Sequence, residues 1–159
     1  MPTNITQSDI LFFERAISLA NEAERQGNLP VGAVICCEGK IIAEGKNSIW
    51  HPKFNADRHA EVEALRNVPE HFWKHARQMT LYTTLEPCLM CMGAILLHHI
   101  GHVIYGSSDH YGGANQVIGH MPPYFEEEIS KIEWIGPAYP EKCDPLFERL
   151  TALEKYHDT

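Results

Sequence analysis

Between Ser8 and Gln26 the apolar residues Leu11, Phe12, Ala16, Leu19, Ala20 and Ala23 recur at helical spacing, with Ser8 placed to cap the first turn and Gly27 to end the last. The pattern then changes to two short β-rich runs, Val31 to Cys37 and Lys40 to Asn47, flanking Glu38-Gly39, which predicts an antiparallel hairpin. Pro52 and the polar run Lys53 to Asp57 mark a loop. A short helix is expected from Arg58 to Asn67, capped by Asp57, with His59 and Glu61 in its first turn. Met79 to Leu85 reads as a buried strand stopped by Glu86-Pro87. Cys88 to His99 reads as an apolar helix with Pro87 near its first position, and His102 to Gly106 as another strand. Beyond Ser107 the periodicity fades into a Gly-rich loop, Asp109 to Tyr124, then a strand over Lys131 to Gly136 and a terminal helix from about Pro145 to Tyr156. A loop of that length points to a functional role.

This order predicts an α/β fold: three layers, α/β/α, around a mixed central sheet of about five strands. At 159 residues the expectation is one domain, 1–159, long enough to bury roughly 70% of its unfolded surface. The longest apolar run, Cys88 to Leu97, is too short to span a bilayer, and the start, MPTNITQSDI, has no basic stretch ahead of an apolar block. No membrane association and a cytoplasmic location are therefore expected. Five cysteines are an odd count, which fits metal chemistry in a reducing compartment better than a disulfide framework. The formal net charge of −8 disfavours a large polyanion as partner, because contact with a nucleic-acid backbone relies on Lys and Arg. Lys46, His51, Lys53 and Arg58 leave room for a small basic rim.

The chemistry concentrates in two stretches. Cys88 and Cys91 are spaced C-x-x-C at a helix start, where the helix dipole and free N–H groups favour thiolates. A soft tetrahedral ion such as zinc suits them. C-x-x-C alone also serves redox chemistry and structural zinc sites, so the remaining ligands decide. His59 can be the third ligand, with Glu61 beside it instead of a fourth; three protein ligands and a water describe an open, catalytic site with one Zn2+ per chain. Two thiolates cancel the ion's charge, so the water is less acidified than in a three-histidine site and needs a nearby base, which Glu61 supplies. A closed structural site completed by Cys36 or Cys37 is the alternative.

His59-Ala60-Glu61 followed by Pro87-Cys88-Leu89-Met90-Cys91 matches the H-x-E and P-C-x-x-C pattern of zinc deaminases. Over roughly Ser8 to Gly113 the chain resembles the cytidine/deoxycytidylate deaminase superfamily, and LYTTLEPCLMCMGAI is most similar to tRNA adenosine deaminases and fungal cytosine deaminase. The resemblance implies hydrolytic deamination. Water activated at zinc attacks the amine-bearing ring carbon, Glu61 carries the proton to the ring nitrogen and then to the amine, and ammonia leaves. It also implies that main chain near Ala60, Pro87 and Cys88 touches the base, that Asn47 pairs with its polar edge, that Asp109 and His110 are pocket candidates, and that the protein is a homodimer. A carboxamide at Asn47 offers a donor and an acceptor, although a turn residue ending a strand is the plainer reading.

Three functions follow. The acidic charge favours a deaminase of a free nucleobase or nucleoside, purine or cytosine. A tRNA wobble adenosine deaminase is the alternative, supported by TLEPC and SSDHYGGA but opposed by NADRHAE in place of DPTAHAE and by an acidic C-terminal segment. A non-catalytic zinc-stabilised module is the third, and the presence of Glu61 argues against it. His98, His99, His102 and His120 read as surface or interface residues, Trp50, Phe54, Trp134 and Tyr139 chiefly as packing, and Glu126 to Glu128 as a solvated face. Met90, Met92, Ile95, Leu96 and Leu97 exceed one helical stripe, which predicts a helix buried nearly all round, in part by a second subunit.

Overall fold

The computed structural model describes residues 4–157, so both ends of the expected 1–159 domain lie outside the described residues. Helix α1 (Gln7–Arg25) starts at a Thr6 cap rather than Ser8, because Thr6 and Asp9 exchange side-chain-to-backbone bonds in a capping box. The expected hairpin forms as β1 (Gly32–Cys37) and β2 (Lys40–Lys46), paired antiparallel. Helix α2 (Ala60–Arg66) is shorter than the pattern implies, and His59, not Asp57, is its N-cap. Strand β3 (Thr80–Leu85), helix α3 (Leu89–Leu97) and strand β4 (His102–Ser107) follow; Cys88 caps α3, which puts Pro87 just outside the helix.

The segment after β4 holds more structure than its sequence pattern indicates. It contains a short 3-10 turn at Ala114–Val117 and helix α4 (Pro123–Ser130) before β5 (Glu133–Ile135). Phe125 and Ile129 of α4 pack with Met92 and Leu96 of α3, a contact too short to register as periodicity. Helix α5 (Pro140–His157) starts five residues before Pro145 and carries that proline inside it. The acidic run is likewise not a uniformly solvated face. Glu128 is buried and binds Lys131, Arg77 and His99, and the Lys131 and Arg77 bonds hold its carboxyl down to about 2.

The sheet order is β2-β1-β3-β4-β5, with β1 antiparallel to both neighbours and β3, β4 and β5 mutually parallel, a mixed five-stranded sheet as expected. Alternation along β1 divides the core: Val34 and Cys36 meet Phe13, Ala16 and Tyr139, while Ala33 and Ile35 meet Ala60, Ala64 and Ile95. Helices thus cover both faces. Because β2, β3 and β4 point the same way, their carboxyl ends open onto one edge of the sheet, which is where open α/β sheets place ligands.

Helix α2 reaches that edge only because Gly45 lets its backbone lie on β2. A Cβ there would sit 2.2 Å from the Ala60 carbonyl oxygen and 2.4 Å from the Ala64 nitrogen. Gly45→Ala is expected to cost about 1–3 kcal/mol in a urea melt, as overpacking does, and to lower metal content by displacing His59. Glu128→Gln should lower the melting temperature at neutral pH. Since the folded carboxyl titrates below its unfolded value, the difference from the parent is full above the ordinary glutamate range and vanishes as pH falls to about 2.

Candidate active site

Two helix starts meet at the carboxyl edge of the sheet. Cap residue His59 of α2 places Nδ1 3.6 Å from Cys88 Sγ, the cap of α3, and 3.6 Å from Cys91 Sγ in the first turn of α3. The three donor atoms lie within 4.8 Å of one another. Tetrahedral zinc, with Zn–S of about 2.3 Å and Zn–N of about 2.0 Å, puts its sulfur and nitrogen donors about 3.5 Å apart. The spacing and the two-sulfur, one-imidazole set therefore fit zinc. Cys36 and Cys37 do not join them. Both are buried in β1, and burial raises both thiols, Cys36 to about 12.

The ligand side chains are electrostatically coupled. The neighbouring Cys91 and His59 hold the Cys88 thiol down to about 4, while the same Cys88 contact and burial raise Cys91. The Cys88 contact also raises His59. Glu61, in the first turn of α2 and only 4% exposed, accepts from Thr83 Oγ1 at 3.0 Å and from the Cys91 thiol at 3.3 Å. Burial is the main reason its carboxyl is raised.

His59, Ala60, Glu61 and Cys88 line a cavity of about 280 Å3, together with Asn47 and Asp109. Asn47 is buried after β2, and its Oδ1 accepts from the Leu29 and Ile49 backbone N–H groups, each at 3.3 Å. The carboxamide is therefore both the strand-end brace and a cavity residue, and its free face is the donor Nδ2 rather than the donor and acceptor expected. Asp109 spends one carboxylate oxygen on the Tyr111 and Gly112 backbone N–H groups, each at 2.9 Å. Two expected contacts lie elsewhere. The Pro87 carbonyl accepts from the Ala114 N–H at 2.9 Å, and His110 lines a neighbouring cavity with Asp144 and Phe147.

The cavity also uses residues the sequence pattern passes over. Thr83 is a polar side chain on the inward face of a buried strand, a signal that it needs a partner. Glu86 reads only as a strand stop, yet it faces the cavity. Leu150 and Glu154 come from α5, whose far turns reach over the site for reasons no local pattern carries. Among the aromatics, Tyr139 donates to Glu14 and Trp134 to Asn115, while Phe54 is exposed, so none of these is a wall of this cavity.

Residues 6–107 match the model of the cytidine and deoxycytidylate deaminase zinc-binding region. The tRNA-specific adenosine deaminase of Haemophilus influenzae is 40% identical over 114 residues, covering 70% of this chain and 64% of the relative. A tRNA-specific adenosine deaminase 2 from Xenopus tropicalis is 29% identical over 151 residues, covering 90% of this chain and 88% of its own. A structure solved in biochemical and structural studies of A-to-I editing by tRNA:A34 deaminases at the wobble position of transfer RNA is 31% identical. It covers 72% of this chain and 90% of its own, with a TM-score of 0.64. These relatives overturn the free-nucleobase or nucleoside expectation. That expectation rested on whole-chain charge, and a net charge summed over all 159 residues does not fix the local potential at the edge where the cavity opens. The chain belongs to the cytidine and deoxycytidylate deaminase zinc-binding family and is a zinc-dependent hydrolase of C–N bonds.

Proposed function

We propose that this single deaminase domain converts adenosine to inosine at the wobble position of tRNA. The observation that carries the chemistry is a buried carboxylate, Glu61, held beside the His59, Cys88 and Cys91 donor set in one small cavity. The relatives named as tRNA-specific adenosine deaminases supply the substrate. About 280 Å3 lies at the low end of ligand sites, roughly 300–1,000 Å3, so the cavity suits one base with the rest of the nucleic acid outside.

His59, Cys88 and Cys91 are the residues to hold zinc, which when bound lowers the pKa of water and so supplies a nucleophile at neutral pH. Glu61 accepts the proton released as the water oxygen bonds to C6 of adenine, and passes it to N1. A second transfer through Glu61 moves the proton of the C6 hydroxyl to the exocyclic amine, the C6–N6 bond breaks, ammonia leaves and the C6 oxygen remains as the inosine carbonyl. A carboxyl group raised by burial suits a group that must both take and return a proton. Thr83 Oγ1 fixes one carboxylate oxygen, leaving the other directed to the ligand side. Asn47 Nδ2, a donor, pairs with an acceptor nitrogen on the adenine edge, and Ala60 and Asp109 contribute to the cavity wall.

A homodimer accounts for helix α3. Met92, Ile95 and Leu96 are buried within the chain, but Leu89 is 62% and Leu97 56% exposed, an apolar flank that a second copy would cover. No helix among the described residues is long and apolar enough to cross a membrane.

The zinc-loaded protein should form inosine in a tRNA transcript carrying adenosine at the wobble position and leave free adenosine, adenine and cytosine unchanged. Turnover of a free base with silence on the tRNA would reverse the assignment. Glu61→Gln should lower turnover about 10²–10⁴-fold with zinc retained, read by ammonia release and elemental analysis on one sample. Cys88→Ser should lose zinc and melt at lower temperature, and full zinc content in that variant would remove Cys88 from the ligand set.

A further inference from the structure

We propose that Glu86 is a positioning residue: its carboxylate ties down the Asp109–Asn115 loop and, through that loop, sets how tightly the substrate base is held. The proposal rests on the wobble-deaminase reading only for the substrate of its kinetic test.

Glu86 directly follows β3 and is 5% exposed, yet both of its oxygens are engaged by main-chain N–H groups rather than by a cation. Oε1 accepts from Asp109 at 3.2 Å and Oε2 from Asn115 at 3.1 Å, so one side chain holds the two ends of the loop. The loop is stitched to the same stretch of chain at two further points, Ala114 N–H to the Pro87 carbonyl at 2.9 Å and a bridge between Gly113 and Cys88. Across the tip, Gln116 Nε2 donates to the His110 carbonyl at 3.0 Å and the Gly113 N–H to the Asp109 carbonyl at 2.9 Å. Tyr111 is 97% exposed, and the tip is shaped by the Asp109 carboxylate binding the Tyr111 and Gly112 N–H groups. Asp109, Tyr111 and Gly112 are the part of the loop that lines the cavity.

The fit is close. A Cβ at Gly113 would stand 1.8 Å from Glu86 Oε2 and 2.5 Å from the Asp109 carbonyl oxygen, so the loop reaches the carboxylate only with glycine at this position. The chemistry is also specific to a carboxylate. Two converging N–H donors need two acceptor oxygens, and a carboxamide offers one acceptor and an NH2 group that opposes the second donor. Glutamine at this position must give up one of the two main-chain bonds, loosening the loop while keeping size and shape.

The test uses the full-length zinc-loaded chain, with Glu86→Gln and Gly113→Ala compared against the parent. Amide hydrogen exchange at Tyr111 to Asn115 is read without substrate; kcat and KM are read on the wobble-adenosine tRNA; zinc content and melting temperature are read on the same samples. Both variants are expected to exchange faster across the loop and to raise KM roughly tenfold, the scale of one lost hydrogen bond to a charged group. Their kcat should stay within about twofold, and zinc content should not change. Unchanged protection and KM in Glu86→Gln would overturn the proposal. So would a fall in kcat at constant KM, which would place Glu86 in the chemistry, or loss of zinc, which would make it a support of Cys88. If the parent fails on tRNA, the functional reading falls, while the exchange measurement still decides whether Glu86 holds the loop.

Discussion

Everything at the working edge of this protein depends on two helices beginning at the same point in space. His59 and Cys88 are each the residue before the first helical turn, so their side chains leave the backbone where N–H groups are unsatisfied and the local potential is positive. That placement suits thiolates, and with Cys91 it brings three donors to zinc spacing. It also places Glu61 where burial raises its proton affinity.

Meeting at a point requires the strands beneath to be in register. β2 and β3 do not touch, since β1 lies between them, yet β1 runs opposite to both and so leaves them parallel. The segments that follow them, leading to α2 and α3, therefore leave the sheet at one edge, and the loop after β4 leaves beside them. Close packing sets the remaining distance. The missing side chain at Gly45 lets α2 settle on β2, and the missing side chain at Gly113 lets the last loop settle on Glu86. A mixed sheet and two backbone contacts thus account for the position of each cavity wall except the one from α5.

The elements that carry this arrangement were also the legible ones. A 19-residue amphipathic helix, a hairpin around Glu38-Gly39 and the H-x-E and P-C-x-x-C spacings each state themselves over a few consecutive residues. What stayed hidden depends on contacts distant in sequence. Helix α4 is eight residues long and stable through Phe125 and Ile129 against α3, and its acidic stretch hides a buried Glu128 whose cationic partner Arg77 is 51 residues away. Asn47 enters as a candidate through the family resemblance, but its acceptor side is spent on Leu29 and Ile49, which only the folded chain reveals. Leu150 and Glu154 reach the site because α5 crosses the sheet, and nothing local encodes that path.

The acidic balance of the chain and the proposed RNA substrate are reconciled by what the cavity must hold. A site of about 280 Å3 suits a base rather than a segment of backbone, so on the proposed function the phosphates stay outside, where charges within a Debye length rather than the sum of −8 set the potential. The base must leave its stack to enter, at a cost of a few kcal/mol that is smallest for a base already unpaired. An adenosine in an anticodon loop meets that condition, whereas one inside a duplex does not. On the proposed function, selectivity for a looped nucleotide follows from that unstacking cost, and recognition of the surrounding RNA need supply only orientation.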